Sequence, residues 1–78
     1  MEIRYSKQAS KFLQKQSKQT QIRIIKAINK LPAGDVKRMQ GKTNYYRLRV
    51  GDYRIIFTHN NIVLLIEKIG NRGEVYKD

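Results

Sequence analysis

The chain has 78 residues, with seventeen Lys and Arg against six Asp and Glu, a formal charge of +11. A chain of this size forms one small domain that buries about 60–65% of its unfolded surface. Self-repulsion at this charge costs stability, so the charge points to a use: RNA, DNA or an acidic protein partner. The lack of cysteine excludes disulfide, zinc-thiolate and thiol chemistry, and no segment approaches the length of a membrane-spanning helix. With 40% hydrophobic residues in periodic order, the chain can support a core and is not expected to be disordered. Met1-Glu2-Ile3-Arg4-Tyr5 is unlike a signal peptide, which makes a bacterial-type cytoplasm the expected location, without a membrane. No repeat, linker or low-complexity segment divides residues 1–78, read as a single domain.

Taken in order, Glu2 to Tyr5 is a short strand with Ile3 and Tyr5 on one side. Ser6 is placed to cap a helix from Lys7 to about Gln16. In that helix Ala9, Phe12 and Leu13 form one buried stripe, while Lys7, Lys11, Lys15 and Lys18 make a basic opposite face. Ser17 to Thr20 is a polar break, and Thr20 is read as the cap of a second helix from Gln21 to Leu31, with Ile24, Ile28 and Leu31 aligned. Pro32 stops that helix, and Ala33-Gly34-Asp35 continues as a loop. The two helices read as an antiparallel hairpin across one face of a sheet.

Val36 to Asn44 reads as a polar connection anchored by Val36 and Met39, with Lys37, Arg38 and Lys42 adding a second basic surface. The stretch Tyr45 to Phe57, YYRLRVGDYRIIF, is a pair of strands around a tight turn, because Gly51 and Asp52 accept the positive φ of a two-residue hairpin. Alternation puts Tyr46, Leu48, Val50, Tyr53, Ile55 and Phe57 on the core side and gathers Arg47, Arg49 and Arg54 on the other. Three guanidiniums on a rigid sheet with no acid between them form a site for phosphates. Taken alone, such arginines are commonly solvated surface. Thr58 to Asn61 is a second turn. Ile62 to Ile69, apolar on both faces until Glu67, is a central strand ended by Gly70. The expected class is α+β in the order β-α-α-β-β-β, a two-helix hairpin on a small, mostly antiparallel sheet.

At Ile69-Gly70-Asn71-Arg72-Gly73-Glu74-Val75-Tyr76 and at YYRLRVGDYRIIF the chain resembles the RelE/ParE superfamily of type II toxin-antitoxin toxins, in motif order over nearly its whole length. Within that superfamily the RelE branch comprises ribosome-dependent mRNA endoribonucleases, and the ParE branch inhibits DNA gyrase without nuclease activity. The resemblance implies RelE-type chemistry, in which a ribose 2′-OH attacks the adjacent phosphate to leave a 2′,3′-cyclic phosphate and a 5′-OH. It places the catalytic positions on Arg47, Arg49, Arg54, Arg72 and Tyr76. It also implies a neutralising acidic antitoxin in a hetero-oligomer, and it implies no cofactor or metal.

This sequence departs from the family where some members carry lysine at the positions of Arg47 and Arg49 and many carry histidine at Asn71. An arginine is a poor proton acceptor. Lys68, which alternates with Leu64 and Ile66, and Lys42 are the candidate auxiliary bases. His59 lies in the predicted turn, away from the arginines, so a two-histidine mechanism is not available. The lysine face of the first helix, with Lys37 and Arg38, is the expected surface for RNA or the ribosome. The competing readings are a gyrase inhibitor, a non-catalytic RNA-binding module and a degenerate toxin that only binds antitoxin.

Overall fold

Ser6 fixes the entry to the fold. Its hydroxyl accepts a hydrogen bond from the Ala9 amide at 3.1 Å, the expected N-cap, and it also donates to the Glu67 carbonyl at 2.6 Å. The computed structural model describes residues 2–41 and 44–71. Within them the chain forms β1 (Glu2–Tyr5), α1 (Lys7–Gln14), α2 (Lys18–Asn29), β2 (Asp35–Arg38), β3 (Tyr46–Val50), β4 (Tyr53–His59) and β5 (Val63–Asn71). The class is α+β as expected, with a strand more than expected.

One mixed sheet has the order β1-β5-β4-β3-β2. β1 runs parallel to β5, and the other neighbours are antiparallel. Ala9 and Leu13 of α1 join Ile24 and Ile28 of α2 in one core with Leu48, Val50, Ile55, Phe57, Leu64, Ile66 and Ile69. Both helices therefore cover the same face of the sheet, α1 against β5 and β1 and α2 against β3. Aromatic rings close the margins of this core: Phe12 meets Tyr53 edge-on at 6.0 Å, and Tyr46 stacks on Phe57 at 5.5 Å. Half-burial against the core pushes the Tyr5 hydroxyl pKa above its ordinary value, because the anion is harder to desolvate.

Several boundaries differ from the sequence reading. The first helix stops at Gln14, with Lys15 as its C-cap. Ser17, rather than Thr20, caps the second helix: its hydroxyl accepts from the Thr20 amide at 3.2 Å. An earlier polar residue with extended backbone satisfies the same orphan amides, so the presumed break is helix and Lys18 begins α2 instead of extending the face of α1. The loop containing Asp35 and the connection from Val36 are in part a strand, β2. Its four residues hold one apolar side chain, Val36, opposite Leu48. A short charged edge strand protects the sheet edge and leaves almost no alternation to read. Strand β4 runs through to His59, and the turn that follows holds Asn61 at φ 73°. The last strand starts at Val63, leaving Ile62 exposed, and passes through Gly70 instead of stopping there.

The pairing of β4 with β5 carries a bulge. Ile56 faces Lys68 and Phe57 faces Ile66, so Glu67 has no partner on β4. Strict alternation from the buried Leu64 and Ile66 would aim Lys68 into the core. The extra residue reverses the parity, turning Ile69 inward and Lys68 and Gly70 outward. The chain just after β1 holds this bulge in place. The Ser6 amide donates to the Ile66 carbonyl at 2.9 Å, and the Ser6 hydroxyl donates to the Glu67 carbonyl. The Gln8 side chain donates to the Ile69 carbonyl at 2.9 Å and accepts from the Ile69 amide at 3.0 Å. The first turn of α1 thus continues, through side chains, the ladder that β1 leaves at Tyr5.

Three serine and threonine variants test these cap assignments. Ser17→Ala is expected to lower the unfolding free energy by about 1 kcal/mol and Thr20→Ala by only a few tenths. Ser6→Ala removes both a cap and the partner of a bulge carbonyl, and is expected to cost about 2 kcal/mol. Denaturant midpoints in that order support the assignment, and a larger loss for Thr20→Ala than for Ser17→Ala contradicts it.

Candidate nucleic-acid interface

The face of the sheet opposite the helices is built by alternation and register. On β3, Arg47 and Arg49 point away from Leu48. On β4, Arg54 lies directly opposite Arg49, and Ile56 lies opposite Arg47. On β5, Gly70 faces Arg54 and Lys68 faces Ile56. On β2, Asp35 faces Arg49 and Lys37 faces Arg47. The expected register of the hairpin therefore holds: Arg47, Arg49 and Arg54 share one face, joined there by Lys68 and Lys37, while of the two turn residues Gly51 takes positive φ and Asp52 does not.

The turn that holds this pairing depends on Gly51, whose φ is +58°. A Cβ there would also lie 2.5 Å from Nη2 of Arg23, which reaches over the turn from α2.

Two features of this face were not legible in the sequence. The first is its depth. Arg54 is 4% exposed and Ile56 5%, and the Arg47 side chain is 12% exposed, whereas that of Arg49 is 44% exposed. The expected open plane is a buried centre with an accessible margin at Arg49. Gly70 has no side chain to compete with the Arg54 stem for space, and Arg54 Nη1 reaches the Tyr53 carbonyl at 3.5 Å. The second is an acid. Asp35 Oδ2 lies 3.7 Å from Arg49 Nε, and Asp35 Oδ1 lies 3.9 Å from Arg47 Nη2. The expectation of a cluster with no acid between its members is corrected by this carboxylate, which a strand not recognised in the sequence brings into register.

The other proposed residues divide between the two sides of the molecule. Lys7, Lys11, Lys15 and Lys18 are exposed on helices whose apolar stripes face the sheet, so they lie across the molecule from the arginines. Arg38 pairs with Tyr46 and so points to the helix side, unlike Lys37. His59 ends β4 with its ring 5.1 Å from that of Tyr46, on the core side and apart from the arginines. Lys42, Arg72 and Tyr76 lie outside the described residues. At the far margin of the arginine face, Arg4 pairs with Glu2, and that hydrogen bond raises its pKa above the ordinary value.

Chemically, Arg49 is the arginine of this face that an anion can reach, and the buried Arg47 and Arg54 add positive charge beside it at reduced dielectric. Two helices on one face of a mixed sheet, with arginines on the other, define an α+β class shared with toxins of toxin–antitoxin systems. The profile of the ParE toxin family of type II toxin-antitoxin systems, parDE, matches residues 3–76. The chain belongs to this family, within the RelE/ParE superfamily.

Toxin RelE3 of Methanocaldococcus jannaschii is 38% identical over 42 residues, which are 54% of this chain and 48% of that protein. The match thus spans about half the length of this curated relative. The archaeal RelE–RelB complex from Pyrococcus horikoshii OT3 contains a chain that superposes with a TM-score of 0.76 at 28% identity, covering 94% of this chain and 96% of that one. The RelB–RelE antitoxin–toxin complex from Methanococcus jannaschii gives 0.76 at 26% identity, covering 92% and 93%.

Burial separates the structural weight of the arginines. Arg54→Ala removes a buried stem as well as a charge and is expected to cost about 2 kcal/mol of stability. Arg49→Ala, at an exposed position, is expected to change stability by less than about 0.5 kcal/mol. Equal losses in thermal or chemical unfolding would contradict the depth assigned to Arg54.

Proposed function

We propose that the protein is a ribosome-dependent mRNA endoribonuclease, the toxin partner of an acidic antitoxin. The observation that carries this reading is the convergence of Arg47, Arg49 and Arg54 on the helix-free face, with Arg49 directly opposite Arg54. A gyrase inhibitor without nuclease activity has no need of such a cluster. In the reaction the 2′-oxygen forms a bond to the adjacent phosphorus and the bond from phosphorus to the 5′-oxygen breaks. The 2′-hydroxyl proton passes to a base, and the leaving 5′-oxygen gains a proton.

Between those events the phosphorane carries two negative charges. Arginines suit this stage, since each preorganised donor is typically worth about 10²–10³ in rate. The family resemblance adds the positions of Arg72 and Tyr76; in this reading Arg72 is a further donor, and the Tyr76 phenol stacks on a base and orients the nucleophile. Lys68, exposed on the arginine face, is one candidate auxiliary base, an amine being better suited to that role than a guanidinium. Lys42 is the second candidate. With so few groups for proton transfer, much of the acceleration falls to positioning, and the ribosome holding mRNA in line supplies it. The exposed lysines of α1 and α2 offer a separate, non-catalytic surface for ribosomal RNA. The antitoxin follows from the family and from the charge of +11: an acidic segment that folds as it wraps the domain.

Induction in cells, followed by mapping of mRNA 5′ ends, tests this. Cuts within translated codons are expected, and co-expression of a cognate acidic antitoxin should abolish them. Arg49→Ala should reduce the cuts by about 10²-fold. Intact mRNA with damaged DNA would instead establish the gyrase-directed alternative.

A further inference from the structure

The acid among the arginines needs an explanation. The chain has six acidic residues against seventeen basic ones, yet one of the six occupies the register position facing Arg49. Its carboxylate sits between the two arginines of β3, 3.7 Å from one and 3.9 Å from the other. Both separations exceed hydrogen-bond length, so these contacts act through charge. The Asp35 side chain is 56% exposed on an edge strand, where it can move aside without disturbing the core.

We propose that Asp35 is a built-in competitor for the RNA phosphate, a positioning residue that occupies the arginine pair until the backbone of a bound strand displaces it. This deepens the nucleic-acid reading above and rests on it. A phosphate arriving at Arg49 meets a site whose charge is already partly neutralised. Isolated phosphates and stray RNA are therefore held more weakly than three arginines alone would hold them. A strand that presents several phosphates in register, as one held on the ribosome does, overcomes the competitor at little relative loss. The displaced carboxylate also replaces one solution counterion in the empty site, so fewer ions are released when RNA binds. Glu2 is the natural comparison: it pairs with Arg4 at the opposite margin, where no further arginine is in register.

The test uses the whole protein and a short 2′-O-methyl RNA, which cannot be cleaved, with affinity measured by fluorescence anisotropy over a series of salt concentrations. Asp35→Asn is expected to tighten binding by about fivefold at low salt and to steepen the salt dependence by about one ion. Asp35→Ser, which also removes the charge, should do the same, and Glu2→Gln should change both quantities far less. A merely structural role for Asp35 cannot raise affinity. Unchanged or weaker binding in both Asp35 variants overturns the proposal, as does an equal gain in Glu2→Gln. Cleavage does not enter the readout: tighter binding by the Asp35 variants alongside a wild type that leaves translated mRNA intact upholds this inference and removes the nuclease reading.

Discussion

The part of the arginine face that the last strand contributes depends on one unpaired residue. At Glu67 the last strand takes an extra step, and everything beyond it changes side. Without that step Lys68 would enter the core, Ile69 would face solvent, and the glycine beside Arg54 would be on the wrong side of the sheet. The Glu67 carbonyl at the bulge accepts from Ser6, and the Ile69 groups left beyond the end of β1 are taken up by Gln8. The N-terminal residues of the chain thereby set the chemistry of the C-terminal strand. Ser6 serves both ends, capping a helix and closing the bulge with one hydroxyl.

The packing of both helices on one face imposes a division of charge. The helices cover one face with aliphatic side chains, so their lysines turn outward on that side, while the arginines look out from the other. The two basic surfaces suit different work. Flexible, exposed lysines give sequence-independent attraction that falls with salt. Guanidiniums held against a sheet by burial have less conformational freedom to lose on meeting a partner. Asp35 is on the second surface, beside the exposed Arg49 at its margin.

Much of this arrangement was legible in the residues. Tyr46 to Phe57 announced its register because alternation and the Gly51-Asp52 turn agree, and the stripe of Ala9, Phe12 and Leu13 fixed the inner side of α1. The missed parts share a physical cause. Strand β2 has one apolar residue, and its existence is decided by pairing with β3, which is tertiary and leaves no periodic signal in Asp-Val-Lys-Arg. Missing it hid the acid of the site. The bulge at Glu67 was equally hidden, because a continuous apolar strand reads the same in either parity. Ser17 and Thr20 were both acceptable caps by type, and backbone geometry chose between them.

The central claim is that RNA is met by the arginine face of the sheet and not only by the lysines of the helices. Chemical-shift mapping of the full-length protein titrated with a short, uncleavable RNA addresses it most directly, with the arginine Nε–H and backbone amide signals followed together. The account requires shifts at Arg47, Arg49 and Arg54 and along β3, β4 and the end of β5 near Lys68, saturating at a single affinity. Shifts confined to the outer faces of α1 and α2, with the three arginine signals unmoved at saturation, would contradict it.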